Sequence, residues 1–352
     1  MSLAELRIEN LRCIESAALD FSPELNLIAG ENGAGKTSIL EAIFLLGRGR
    51  SFRTRSNERL IRQGQAALTV FGRTDDIPAR QAGIEISVDD GTRARINGVN
   101  ATSLLELSGV IAVQAIDPEI HKLIEQGPER RRRWLDWLVF HVEPTFGGQW
   151  ARYQRALKQR NAGLKSGARD VTAWDSVLVE AGNAISEARQ STLTRLEPYL
   201  ERLFEAFSGL AISVGFHAGW GAERTFGESL QVSLERDRER GVTHSGPHRA
   251  DVTLRTKGRA ARETLSRGQQ KLTAVAMIVS QLQMLRSEQG LRATLLLDDP
   301  AAELDAKNLQ RLFSELSSLQ CQMIATSLTP ETALFQAPKA TFHVEQGRVN
   351  RL

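Results

Sequence analysis

The chain opens on an alternation. In "ELRIENLR", Leu6 and Ile8 fall on one face and charged residues on the other, the period of a strand. "ELNLIAG" is a short apolar strand running into Gly30. The period then shifts. "TSILEAIFLLG" puts Ile39, Leu40, Ile43 and Leu46 on one helical stripe, with Gly47 placed to cap it. Strand spacing resumes in "ALTVFGRT", "AGIEISV" and "TRARING", and Asp90-Gly91 between the last two signals a hairpin. "GVIAVQ" reads as another buried strand.

From about Pro128 to Phe207 the pattern is helical, and glycines at 163 and 167 and Pro198 are expected to break it into several helices. Beside Arg130–Arg133, the residues Trp134, Leu135, Trp137 and Leu138 read as packing positions. Strands return in "AISVGFHAG" and "DVTLRT". A helix over Ser266–Gln289 turns Leu272, Val275, Val279, Leu282 and Leu285 inward. "ATLLLDD", "CQMIATS" and "TFHVEQGRV" close the chain as strands. Alternating β and α signals predict an α/β fold with a helical insertion: a first part over 1–118, a helical arm over 119–207, and a return to the first architecture over 208–352.

Length bounds this at two or three domains: 352 residues, of ordinary globular composition. Apolar runs are too short to span a bilayer, and Met1–Asn10 lacks a signal-peptide core, so a cytoplasmic protein with no membrane association is expected. Cys13 and Cys321 have no metal spacing and are expected to be buried small hydrophobes. His244 and His248, split by Pro247, make a poor metal pair.

The strongest chemical signal is GENGAGKT, Gly30–Thr37, which fits G-x-x-x-x-G-K-[ST] between an apolar strand and an amphipathic helix. The glycines let backbone N–H groups turn toward a β-phosphate. Lys36 supplies charge to the β- and γ-phosphates, and the Thr37 hydroxyl can ligate Mg²⁺. The loop alone leaves kinase, GTPase and transporter ATPase open, although the guanine-reading NKxD tetrapeptide is missing. "TLLLDD" supplies the second half. Asp298 at the strand edge suits Mg²⁺, and Asp299 suits polarising the attacking water. Gln114, ending "GVIAVQ", is expected to reach the metal and water.

The GxxGxGKT loop, LSRGQ at Leu265–Gln269 and the acidic strand end, in that order, resemble the ABC-type ATPases, and within them the SMC and RecF branch. "ENGAGKTSILEAIFLLGRGRSFR", "GPERRRRWLD", "YQRALKQRNAGLK", "GPHRAD" and "FHVEQGRV" carry a RecF-like pattern along nearly the whole chain. The resemblance implies an ABC-type ATPase head interrupted by a short helical arm. It implies ATP and Mg²⁺ as cofactors, an ATP-dependent homodimer, and weak DNA-stimulated hydrolysis acting as a switch. It further implies binding to single- and double-stranded DNA at gaps and junctions, partnership with RecR and, indirectly, RecA.

Carried over by position, the nucleotide is held by Gly30, Glu31, Asn32, Gly33, Ala34, Gly35, Lys36 and Thr37, and by Ser266, Arg267, Gly268 and Gln269 of the signature. Lys36, Asp299 and Gln114 take catalytic roles, and Thr37, Asp298 and Gln114 the metal. Ala302–Asp305 resembles the D-loop with alanine at the usual serine. Thr326 and Ser327 stand where transporter ATPases carry a histidine, and "GPHRAD" has Ala250 where an acid is usual, leaving Asp251. Between Arg48 and Arg62 six arginines face one acid, Glu58, and Arg48, Arg50, Arg53 and Arg55 become the candidate contacts to DNA phosphates. An SMC-like structural ATPase and a transporter subunit are the alternatives; the short insertion disfavours the first and the missing histidine the second.

Overall fold

The computed structural model describes residues 2–54, 56–168, 170–330 and 338–352. The chain divides into two compact units, Met1–Ile120 with Gly290–Leu352, and His121–Gln289.

In the first unit, six strands form an antiparallel sheet in the order β2-β1-β4-β5-β6-β7: β1 Leu3–Leu11, β2 Ile14–Asp20, β4 Ala67–Thr74, β5 Gln81–Ser87, β6 Gly91–Ile96 and β7 Val99–Asn100. A second six-stranded sheet runs β15-β14-β3-β13-β12-β8, with β3 Leu25–Ala29, β8 Val113–Ile116, β12 Thr294–Leu297, β13 Gln322–Ser327, β14 Ala340–Glu345 and β15 Arg348–Arg351. Its strands are parallel except for the β14–β15 hairpin. β3 is buried at every position, as expected for a strand covered on both faces. The core joins Leu6, Ile8, Ile84 and Ile86 of the first sheet to Ile28, Leu296 and Ile324 of the second through α1 (Lys36–Arg48).

The expected helix forms, but it ends on Gly49 in the left-handed conformation, not on Gly47. Gly47 serves close packing: a Cβ there would sit 2.4 Å from Val113 Cγ1. "GVIAVQ" is not one strand either. A short helix, α2 (Glu106–Val110), takes up its start, and β8 begins at Val113. Two further helices, α10 (Pro300–Glu303) and α11 (Ala306–Leu319), follow β12.

The second unit runs on to Gln289, past the expected return at residue 208. The reason is pairing. β9 (Ser213–His217), β10 (Asp251–Thr256) and β11 (Arg259–Ala260) form their own three-stranded antiparallel sheet and add nothing to the other two. Around it lie α3 (Lys122–Glu125), α4 (Pro128–Val142), α5 (Phe146–Ser166), α6 (Asp175–Ser208), α7 (Phe226–Arg240), α8 (Ala261–Thr264) and α9 (Arg267–Gln289). Gly167 caps α5, but α6 passes through Pro198 unbroken. Trp134, Leu135, Trp137 and Leu138 are buried. α9 is buried on all sides from Thr273 to Leu285, not on a single stripe, and Leu272 is only half-buried. Trp134 Nε1 donates to Met277 O at 3.2 Å and Gln281 Nε2 to Trp134 O at 2.6 Å, fastening α4 to α9.

Candidate functional site

The phosphate loop leaves β3 through Gly30, whose φ is 156° and where a Cβ would sit 2.3 Å from Val344 O. Only glycine lets the loop pass this close to β14. Gly35 in the left-handed region then starts α1, so Lys36 stands at the first helical position. Its Nζ donates to Gly30 O at 2.6 Å and Glu31 O at 2.9 Å. Burial lowers the Lys36 pKa below the usual lysine value, and the carboxylates of Asp299 and Asp298 oppose that shift.

Parallel register delivers the partners. Leu297 at the end of β12 lies beside Ala325 of β13, so Asp298 and Thr326 meet just beyond. Asp298 Oδ1 accepts from Thr37 Oγ1 at 2.9 Å and from Thr326 Oγ1 at 3.1 Å. Burial raises the Asp298 pKa; these two hydrogen bonds and the Arg53 charge pull it back down. Asp299 takes the left-handed conformation (φ 47°, ψ 54°) with its N–H on Thr326 Oγ1 at 2.8 Å. A non-glycine residue there costs about 1 kcal/mol, and the short polar side chain of Asp tolerates it better than most.

Lys36, Thr37, Asp298, Asp299 and Thr326 surround one cavity of about 630 Å³. Asn32, Gly33 and Gly35 line it as well. Gln114 does not. It is buried inside β8, level with Leu295, and the strand end presents Asp117, Pro118 and Glu119 to the cavity instead. Cys13 is exposed and lines the same cavity, against the expectation of a buried thiol; Cys321 is buried.

The arginines meant for DNA separate. Arg48 lies over the Phe44 ring, 5.5 Å from its centroid, and Arg50 is half-buried. Arg55 lies outside the described residues. Arg53 lines the phosphate cavity. Its position follows from Glu41, a fully buried carboxylate on α1 that takes two bonds from Arg12 (2.7 and 3.0 Å) and one from Ser51 Oγ. Ser51 Oγ in turn accepts from Arg53 N and Thr54 N, and Arg53 Nη1 stands 3.7 Å from Glu41. The signal available in the sequence was Glu41, a charged residue on the apolar face of α1.

The signature belongs to the second unit. Gln269 N donates to Ser266 Oγ at 3.3 Å and Ser266 N to Gln269 Oε1 at 3.0 Å, a reciprocal cap at the start of α9. Ser266, Arg267 and Gly268 are exposed. Arg267 Nη2 donates to His121 Nε2 at 3.2 Å. "GPHRAD" is a structural hub. His248 Nδ1 accepts from the Tyr153 hydroxyl at 2.7 Å, and Nε2 donates to Thr243 O at 3.0 Å. Burial lowers the His248 pKa to about 4. His244 Nδ1 bonds Asp237 at 2.8 Å. Asp251 takes both arms of Arg131, at 2.9 and 3.0 Å.

A parallel sheet with a phosphate loop at one strand end and an acid pair at another defines the head of an ABC-type P-loop ATPase. The RecF/RecN/SMC N-terminal domain model matches residues 2–350. The DNA replication and repair protein RecF of Pseudomonas fluorescens is 38% identical, over 100% of this chain and 98% of its own. RecF of Stenotrophomonas maltophilia is 40% identical over 99% of each chain. A solved structure of the recombination mediator protein RecF with ATP, in the RecFOR pathway, superposes with a TM-score of 0.90 at 26% identity, covering 100% of this chain and 97% of that one. A Pyrococcus furiosus Smc head shares the fold at a TM-score of 0.59 and 16% identity. The chain belongs to the RecF family.

Proposed function

We propose that this chain is an ATP-switched DNA-binding recombination mediator. Two copies close on ATP and Mg²⁺, bind DNA at gaps and junctions, and with RecR assist the loading of RecA. The observation that carries the reading is the convergence of Lys36, Thr37, Asp298 and Asp299 on one cavity large enough for a nucleotide. The likeness to an ATP-bound RecF structure supports ATP as the occupant.

Oxygen donors suit Mg²⁺. Thr37 Oγ1 and Asp298 Oδ1, 2.9 Å apart, would hold it. Among the described residues no cluster of three or more His, Cys, Asp or Glu could form an all-protein cage, and Mg²⁺ sites of this type rely on one or two protein oxygens plus phosphates. The cation would neutralise phosphate charge. Lys36 would draw in the β- and γ-phosphates, Arg53 would add a second positive charge from the facing loop, and Asp299 would orient water for slow hydrolysis. The exposed Ser266–Gly268 helix start presents N–H groups to the nucleotide of a second copy. Among the described residues no helix is long and apolar enough to cross a membrane.

Sedimentation with and without ATP, with and without a gapped duplex, tests this. ATP-dependent dimers that bind the gap more tightly are expected. Ser266→Arg should leave monomer ATP binding intact and abolish dimerisation; loss of monomer binding would mean the signature is misplaced. Lys36→Arg that dimerises and binds gaps as the unaltered chain does would end the switch reading.

A further inference from the structure

With Arg48 stacked on Phe44 and Arg53 turned into the phosphate cavity, the stretch that looked most like a DNA contact is largely taken up by other work. One basic stretch of the sequence, "YQRALKQRNAGLK", has no role in the nucleotide site. It forms α5, whose inner positions Tyr153, Ala156, Leu157, Arg160 and Leu164 are buried. Its outer positions line a groove of about 760 Å³ that includes Gln154, Arg155, Lys158, Asn161 and Lys165.

Three cations line this groove, and no acid does among the described residues. Arg155, Lys158 and Lys165 are exposed. None of the three side chains has an ion pair or hydrogen bond among the described residues, whereas the Arg152 side chain, one turn earlier, is held by both oxygens of Glu180 at 2.8 and 2.7 Å. Gln154, Lys158, Asn161 and Lys165 recur at intervals of three and four residues, which sets them on one side of the helix over about 16 Å. Asn161 is oriented from behind. Its Oδ1 accepts from the Thr243 N–H and hydroxyl, both at 2.8 Å, which commits the carbonyl inward and leaves the amide N–H₂ as a donor. A row of positive charges with an amide donor set among them, on a rigid helix buried along its other face, matches a polyanion with charges in a line.

We propose that the outer face of α5 binds the sugar-phosphate backbone of DNA through Arg155, Lys158 and Lys165, with Asn161 donating to a phosphate oxygen. This rests on the DNA-binding reading given above and places its contact in the second unit. At about 3.4 Å of rise per nucleotide along one strand, the row spans roughly four to five phosphates. It reads charge and not sequence, because it offers flexible point charges and no element shaped to enter a groove and pair with base edges.

The test compares a Arg155→Gln/Lys158→Gln/Lys165→Gln triple variant with the unaltered chain, following binding of a fluorescent gapped duplex across a salt series. Affinity should fall about tenfold or more, and the slope of log affinity against log salt should become shallower by about 2 to 3. Thermal unfolding and ATP binding should be unchanged. Restoring charge with Lys158→Arg and Lys165→Arg on the native Arg155 should restore the slope. A control triple, Arg73→Gln/Arg93→Gln/Arg95→Gln, removes the same charge from the first unit and should leave the slope nearly intact. Equal losses in both triples would make the effect one of net charge and overturn the proposal. Intact DNA binding by the α5 variant, with lost binding to poly-glutamate, would assign the face to an acidic protein partner and overturn it too. If the unaltered chain binds no DNA under ATP, the functional reading falls with it; if only the α5 variant behaves as the unaltered chain, this inference alone falls.

Discussion

Two sets of arginines and lysines, equally basic in the sequence, end in opposite states. Arg131 of α4 is buried, with both arms on Asp251 and a further bond to Gln126 O at 2.6 Å. Arg160, fully buried on the inner side of α5, is held by Asp175, Asp237 and Thr243, each at 2.8 Å. Arg155 and Lys158, on the same helix, face outward with no acid in their groove among the described residues. The difference teaches that the density of positive charge along a chain says little about its use. What decides is whether the fold brings a carboxylate to it: a paired, buried cation fastens elements together, and an unpaired exposed one is available to a partner.

That contrast can be broken in four ways. The largest effect is expected at Arg131. Arg131→Met leaves Asp251 without its partner and should cost about 3–5 kcal/mol in urea unfolding, most of it recovered in the double variant Arg131→Met/Asp251→Leu. A single variant as stable as the parent would remove Arg131 from the structural class.

Next is the pH dependence of the same unit. His248 is held neutral by burial, with Arg249 and Arg132 adding to the effect. Its folded value of about 4 lies below the ordinary histidine value of 6.5, so the unfolded chain takes up the proton first. Stability should therefore be fully present above pH 6.5 and fall as pH drops toward 4, by about 3 kcal/mol in all. His248→Asn should flatten that part of the curve; an unchanged slope would assign it to other groups.

Third is Arg53, which stands between the two classes, exposed but turned toward a binding cavity. Arg53→Ala should weaken ATP binding by about 10- to 100-fold, the worth of one charge-assisted hydrogen bond, and change stability little. Weakened DNA binding with normal ATP affinity would return Arg53 to the DNA set. The smallest effect marks the other end of the comparison. Arg155→Gln should shift unfolding by no more than about 0.5 kcal/mol.

The parts of this molecule that could be read from the sequence are those fixed by neighbours along the chain. The phosphate loop, the start of α1 and the Asp90-Gly91 hairpin each depend on a few consecutive residues, and each forms where the pattern puts it. Gln114 shows the limit. Whether a strand residue reaches the sheet edge depends on its register with β12, and that is set by pairing 181 residues away, Gln114 against Leu295. The extent of the second unit was hidden for a similar reason: β9 and β10 look like any other strands, and only their pairing excludes them from the larger sheets. Pro198 shows another limit, because a proline warns of a break but cannot show that packing of the surrounding helix overrides it; Leu196 and Leu200 on either side are both buried. Arg53 lines the phosphate cavity on a loop held by Ser51 and the buried Glu41, contacts no charge count reveals.

β3 carries the phosphate loop, yet its two hydrogen-bonded neighbours are β13 and β14, residues 322–327 and 340–345. The strand that begins the nucleotide site is made within the first tenth of the chain and waits for partners from the last tenth. During synthesis, at about 5–20 residues per second, that wait lasts on the order of 15 to 60 seconds. For that interval the apolar strand Leu25–Ala29 has neither of its native edges. In a ribosome-bound fragment ending before Gln322, the strand that carries the phosphate loop lacks both of the neighbours it has in the finished fold.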